Sequence, residues 1–166
     1  MRHLLLYAIF LLHSGIYASN VMYIDDSAVI SGDSLIITVG VNNTEQFSAF
    51  QFSIQLPEII GFEFSEINLT DRATDDHSVS GGMSENIITG IGFSLSGSSF
   101  EGFNGIIAEI LFTSCFGPVG EYPLVLQNAI ISSLDMVNLI DEDENGVLKL
   151  LPSNEAAYLS LSTDYL

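Results

Sequence analysis

Residues 49–56, Ala-Phe-Gln-Phe-Ser-Ile-Gln-Leu, alternate without a break. Phe50, Phe52, Ile54 and Leu56 occupy even positions, and Gln51, Ser53 and Gln55 occupy odd ones. A β-strand sends successive side chains to opposite faces, so this segment has one oily face to bury and one flat polar face to present. A helix would scatter the same residues around its circumference. Pro57 stops the run, because proline cannot donate to a ladder. The segment is expected to be a central strand of a two-sheet sandwich. Its odd side, with Ala49, Gln51, Ser53 and Gln55, is the first place to look for a partner.

The rest of the chain follows the same grammar. Val21 to Ile24 reads as a short strand, and Ser31-Gly32-Asp33 as a turn. Leu35, Ile37, Val39 and Val41 share one face of a β-branched strand. Phe62, Phe64 and Ile67 alternate loosely over 61–69, as in a strand crossing between sheets. Residues 70–77, with Asp71, Asp75 and Asp76, read as a solvated acidic loop, and 79–84 as a weak glycine-rich edge. In 87–95, Ile87, Ile91, Phe93 and Leu95 share one face. The other face, with Ile88, Gly90, Gly92 and Ser94, is nearly bare, and glycine in a strand often lets another chain come close. Those four residues are therefore added to the candidate partner-binding set. Strands over 105–112, 122–131 (broken near Asn128) and 147–151 complete the pattern, with Asn145-Gly146 as a hairpin signal before the last. About nine short strands and no convincing helix indicate an all-β, antiparallel β-sandwich.

The start of the chain belongs to a different class. Met1-Arg2-His3 is basic, residues 4–12 are apolar, and a small residue, Ala18, ends the stretch. This is the layout of a secretory signal peptide over 1–18. The apolar run is too short for a bilayer span of about 20 residues. Export to the extracellular space or cell surface is the expectation, with no membrane insertion. Beyond Ala18 only Arg72 and Lys149 stand against all 21 acidic residues, a net charge of −19. Such a chain repels phosphate backbones, which excludes nucleic acid as a partner. The roughly 148 residues left suit one domain.

Catalytic chemistry finds little to work with. Cys115 is alone, so no intramolecular disulfide is possible, and it ends an apolar run where a cysteine is ordinarily filler. His77 is the sole histidine beyond the leader. No nucleophile–base pair or paired carboxylates can be picked out, so the chain is read as non-enzymatic and without a cofactor. Asp141-Glu142-Asp143-Glu144-Asn145-Gly146 matches the opening of an EF-hand loop, but position 12 is Pro152 instead of a bidentate carboxylate. An acidic hairpin turn is the better reading, and no metal is expected. Asn42-Asn43-Thr44 and Asn68-Leu69-Thr70 are sequons with meaning only in a eukaryotic host. Residues 152–166 form a tail that looks like the start of a truncated sorting segment or a frayed end.

In order and spacing, Ser31-Gly32-Asp33-Ser34-Leu35-Ile36-Ile37-Thr38-Val39, Phe50-Gln51-Phe52-Ser53-Ile54 and Gly105-Ile106-Ile107-Ala108-Glu109-Ile110-Leu111-Phe112 resemble a cohesin domain. Gly120-Glu121-Tyr122-Pro123-Leu124-Val125-Leu126 and Asn145-Gly146-Val147-Leu148-Lys149-Leu150 continue the likeness, which spans most of 19–151. The resemblance implies a nine-stranded jelly-roll sandwich that docks a dockerin-like protein module in polysaccharide-degrading assemblies. It places the docking surface on the family's third, fifth, sixth and eighth strands, here 49–56, 79–84, 87–95 and 122–131. The family's acidic or amide contact positions fall on Ala49 and Gln51, and its Asp-Pro after the third strand becomes Leu56-Pro57-Glu58. The alternative on the same sandwich is a polysaccharide-binding module. That function usually needs exposed aromatic platforms, and the chain has no Trp, leaving Phe100, Phe103, Tyr122 and Tyr158 as candidates.

Overall fold

The computed structural model describes residues 19–153. The signal-peptide reading over 1–18 and all but the first two residues of the tail lie outside them. Eleven strands, labelled in chain order, form two packed sheets: β1 (Val21–Ile24), β2 (Ser27–Ile30), β3 (Leu35–Asn42), β4 (Ala49–Gln55), β5 (Gly61–Leu69), β6 (His77–Ser84), β7 (Ile87–Ser94), β8 (Ile106–Phe116), β9 (Gly120–Ser132), β10 (Glu142–Glu144) and β11 (Gly146–Leu151). One sheet runs β10-β1-β3-β8-β5 and the other β2-β11-β9-β4-β7-β6. The architecture is the expected all-β sandwich, with more strands than the nine read from sequence.

The two extra strands have local causes. The first strand splits at Asp25-Asp26 and changes sheets. Asp25 accepts the Thr38 hydroxyl (2.9 Å) on one sheet, while Asp26 accepts the Val147 amide (2.8 Å) on the other. The acidic segment before Gly146 forms β10, which pairs parallel with β1, and β11 pairs parallel with β2. Asn145-Gly146 is therefore not a hairpin turn, because the strands on either side belong to different sheets. Its acidic neighbours are also occupied differently from an EF-hand. Asp141 Oδ2 accepts the Asn20 amide at 2.8 Å, and Asn145 Oδ1 accepts the Leu126 amide at 2.8 Å.

β4 sits inside the six-stranded sheet, between β9 and β7. Phe50, Phe52, Ile54 and Leu56 are all buried, as their alternation requires. Phe50 and Phe52 stack at 5.9 Å, and Phe100 tilts onto Phe50 at 5.4 Å. Ile37, Val39 and Val41 of β3 and Ile107 and Ile110 of β8 close the core from the opposite sheet. Asn128 adopts φ 51 opposite the register shift between Gln51 and Ser53, so the break read near Asn128 is a β-bulge.

The 70–77 loop is more than a solvated acidic stretch. Arg72 is buried, and its guanidinium donates to Glu101 O (2.6 Å), Val41 O (2.8 Å), Asn43 Oδ1 (2.8 Å), Gly102 O (3.1 Å) and Gly105 O (3.2 Å). All five of its N–H donors are thus used, tying the link between the sheets to two neighbouring loops. Burial holds its pKa below the ordinary arginine value.

Candidate functional site

Cross-strand partners share a face, so the register reads directly as a map of the six-stranded sheet's outer surface. Across β9, β4, β7 and β6, Ile130, Gln51, Ile91 and Ser80 form one row. The next row towards one end is Ser132, Ala49, Phe93 and Ser78. Towards the other end come Gln127, Ser53, Thr89 and Gly82, then Val125, Gln55, Ile87 and Ser84. Four rows of four thus contain no Asp, Glu, Lys or Arg, in a chain with 21 acidic residues.

The odd residues of β4 sit on this surface as the sequence indicates. Ala49, Gln51 and Gln55 are half-buried, and Ser53 is nearly covered. Ser53 Oγ lies 3.4 Å from Thr89 Oγ1, and Gln55 Nε2 donates to Leu56 O (3.1 Å) and Asn86 O (3.2 Å). Gln51 makes no side-chain hydrogen bond among the described residues, so its amide remains available.

The β7 half of the candidate set faces the other way. Phe50, Phe52 and Ile54 pair with Gly92, Gly90 and Ile88, so these three residues point into the core. Ile88 is fully buried. A Cβ on Gly90 would lie 2.4 Å from Phe52 Cζ, and one on Gly92 would lie 2.3 Å from Phe50 Cε1. The bare face is bare because the two β4 phenyl rings fill it. Ser94 shares that side and donates to Asp76 Oδ2 at 2.5 Å. The apolar residues left outside, Ile87, Ile91, Phe93 and Leu95, were not among the candidates and form a ridge along the neutral face. The missed signal was pairwise: two phenylalanines at i and i+2 on one strand need two small residues at the same spacing on its neighbour.

At the rim of the face, Asp76 collects the hydroxyls of Ser94, Ser96 and Thr74, which hold its carboxyl well below the usual carboxylate range. Beside it, His77 Nδ1 accepts the Thr74 amide at 3.0 Å and its ring lies 4.0 Å from that of Phe100. Cys115 is fully buried on β8, across the sandwich from His77 on β6, and burial pushes its thiol up to about 11. These two residues assemble no nucleophile. Among the described residues, no group of three or more His, Cys, Asp or Glu is placed to hold a metal ion.

The aromatic candidates for sugar contact do not form a platform. Phe100 is buried, Tyr122 is half-buried with its hydroxyl on Pro118 O (2.8 Å), and Phe103 stands in a loop. Tyr158 lies outside the described residues.

Solved structures share this arrangement of strands. A non-cellulosomal cohesin from the hyperthermophilic archaeon Archaeoglobus fulgidus superposes with a TM-score of 0.66 at 15% identity, over 86% of this chain and 98% of that one. The fold is that of a cohesin. The sixth cohesin of scaffoldin B from Acetivibrio cellulolyticus, solved in complex with a Cel5 dockerin mutant, gives 0.68 at 12% identity, over 80% of this chain and 99% of its own. The OlpA cohesin from Clostridium thermocellum, solved with a dockerin, gives 0.68 at 15% identity, over 80% and 99%. No protein-family profile matches the sequence, and no curated protein does. The four strands that the resemblance singled out are β4, β6, β7 and β9, and they lie side by side in one sheet.

Proposed function

We propose that this chain is a secreted, non-catalytic docking module of cohesin type, a jelly-roll sandwich. It receives a dockerin-like protein on the outer face of the six-stranded sheet, within an extracellular or cell-surface assembly that acts on polysaccharide. The observation that carries this reading is the four uncharged rows across β9, β4, β7 and β6 on an otherwise acidic chain. A surface kept free of charge over four rows, with an apolar ridge and a free amide at Gln51, has the composition of an interface core. Isolated exposed apolar residues need no such explanation, whereas a contiguous patch does.

The test is a titration calorimetry panel of calcium-loaded dockerin modules from the source organism against the 19–153 domain. Saturable binding by at least one module, lost in Ile91→Glu and kept in Glu109→Arg, is the expected result. Absence of binding across the panel, with retention on insoluble cellulose or another polysaccharide instead, would overturn it in favour of the sugar-binding alternative. The scattered aromatic positions do not favour that outcome.

A further inference from the structure

Among the described residues, six of the thirteen large exposed apolar side chains gather at one end of the neutral face. Along β7 and just past it, Ile91, Phe93 and Leu95 are 42%, 36% and 81% exposed. In the turn that follows β9, Leu134, Met136 and Val137 are 67%, 91% and 55% exposed. The hydrogen bonds put the two groups together. Ser48 donates its amide to Ser132 O at 2.9 Å, and Ser94 donates its amide to Ser48 O at 3.0 Å. The end of β7 and the start of the turn therefore flank a single residue. A Cβ built on Gly97 would lie 2.9 Å from Leu134 Cδ2, so Leu134 leans over the loop that carries Leu95.

The turn is a built feature and not a frayed connection. Ser132 bridges to Asn138, Leu139 donates its amide to Ile131 O at 2.9 Å, and Met136 donates its amide to Ser133 O at 3.0 Å. At its tip Met136 holds φ 60, a left-handed conformation suited to Gly or Asn. An unbranched thioether occupies it instead and stands in solvent, where it has no core to fill. Methionine of this kind adapts its shape to whatever packs on it.

We infer that the docking face continues past the end of β7 onto the 133–137 turn, and that its occupant is a protein with a continuous, uncharged apolar strip lying along β7. From residue 87 to residue 95 the ridge alone is about 27 Å long at about 3.4 Å per residue. This inference rests on the docking reading and adds the turn to it as the element that selects the partner. Along β7 itself the strip offers no opposite charge to an acidic or basic partner surface, and the carboxylates beside it are Asp135 in the turn and Asp76 at the rim, the latter already held by three hydroxyls.

Photo-crosslinking separates the two readings. p-Benzoylphenylalanine is placed singly at Ile91, Met136 or Glu109 of the full chain, which is then irradiated in the culture fluid of its own source. Capture of one and the same polypeptide from positions 91 and 136, and not from 109, supports the inference only together with a loss of at least ten-fold in that identified partner's affinity for Leu134→Ser/Met136→Ser, and an unchanged affinity overturns it. Met136→Gly is a second check, because it relieves the backbone and so keeps or raises the melting temperature while binding falls. Capture from 91 alone overturns the inference and leaves the docking face standing. Capture from neither, or from 109 alone, overturns both. Lipid adducts at 136 would assign the turn to a membrane surface and also overturn it.

Discussion

The two outer faces of the sandwich are built alike and differ in chemistry. Both are ladders of largely antiparallel strands over one shared core. On the five-stranded sheet, Glu66 lies across from Leu111, and Asn68 lies across from Glu109. Glu63 accepts the Thr113 hydroxyl at 3.2 Å, Asp25 accepts that of Thr38, and Glu142 and Glu144 occupy the outermost strand. On the six-stranded sheet the four rows across β9, β4, β7 and β6 hold only serine, threonine, glutamine, glycine, aliphatic side chains and Phe93, and the exposed Lys149–Glu121 pair lies beyond them on β11 and the start of β9. The comparison teaches where this chain needs its charge. Acidic residues keep the protein soluble and blunt the edges formed by β10 and β5, which would otherwise template pairing with another chain. They are absent where desolvation has to be cheap. A buried unpaired carboxylate would cost several kcal/mol of any contact made there, about 2–5 kcal/mol where a charge is left without its partner.

The largest effect separates the inside of β7 from its outside. Gly92→Arg should prevent folding, since even a Cβ at this position would meet the Phe50 ring at 2.3 Å and the guanidinium would follow into the core. The expected cost is above about 4 kcal/mol. Ile91→Arg, one residue away and facing solvent, should keep the melting temperature within what about 1 kcal/mol allows. Phe52→Asp and Gln51→Asp should repeat the contrast on β4, with Phe52→Asp unfolded and Gln51→Asp folded. Thermal melts followed by circular dichroism decide the matter, and equal melts within either pair would refute the register.

That contrast also marks how far the sequence could be read. The facing of β4 was legible because its two faces differ in kind, four large apolar residues against amides and serine. β7 was not legible in isolation, since both faces contain apolar residues and the more apolar one would ordinarily go inward. What turned it round is a volume constraint from another strand: Phe50 and Phe52 occupy the space above Gly92 and Gly90. Arg72 shows a similar limit. Among three aspartates it reads as one charge of a solvated loop, yet five hydrogen bonds to distant loops make it a buried tie. Asn145-Gly146 carries a hairpin signature that local sequence alone supports, and the parallel pairing of β10 and β11 with strands far away in sequence overrode it. Turn chemistry and alternation are local; which neighbour fills a face is not.

A smaller effect sharpens the comparison at the level of binding. With a cognate partner in hand, Ile91→Glu should cost more than about 2 kcal/mol of affinity, as a charge placed in an interface centre usually does. Glu109→Arg on the acidic face should change affinity by less than about 0.5 kcal/mol, because rim and remote charges act mostly on association rate. Raising NaCl from about 50 to 500 mM shortens the Debye length from about 14 to 4 Å, yet should move the dissociation constant less than about three-fold. A steep salt dependence would mean that the partner reads the acidic face instead.

The smallest effect concerns the one rim carboxylate whose charge is already absorbed. Asp76 accepts hydroxyls from Thr74, Ser94 and Ser96, two of which come from the end of β7 and the loop after it. These donors favour the ionised form and depress its folded-state pKa. Its unfolded-state value is about 3.9. A depressed carboxylate adds stability that is complete above the unfolded pKa and is lost as pH falls towards the folded one. Asp76→Asn should therefore melt below the wild type at pH 7, by a gap that stays constant down to about pH 4 and narrows at more acid pH. Because Asn keeps one carbonyl acceptor, the gap should be smaller than that of Asp76→Ala. The measurement is a set of paired melts between pH 2.5 and 7 at fixed ionic strength. A gap that widens on acidification would show that the three hydroxyls do not hold the charge, and that this end of the neutral face is charged in the ordinary sense after all.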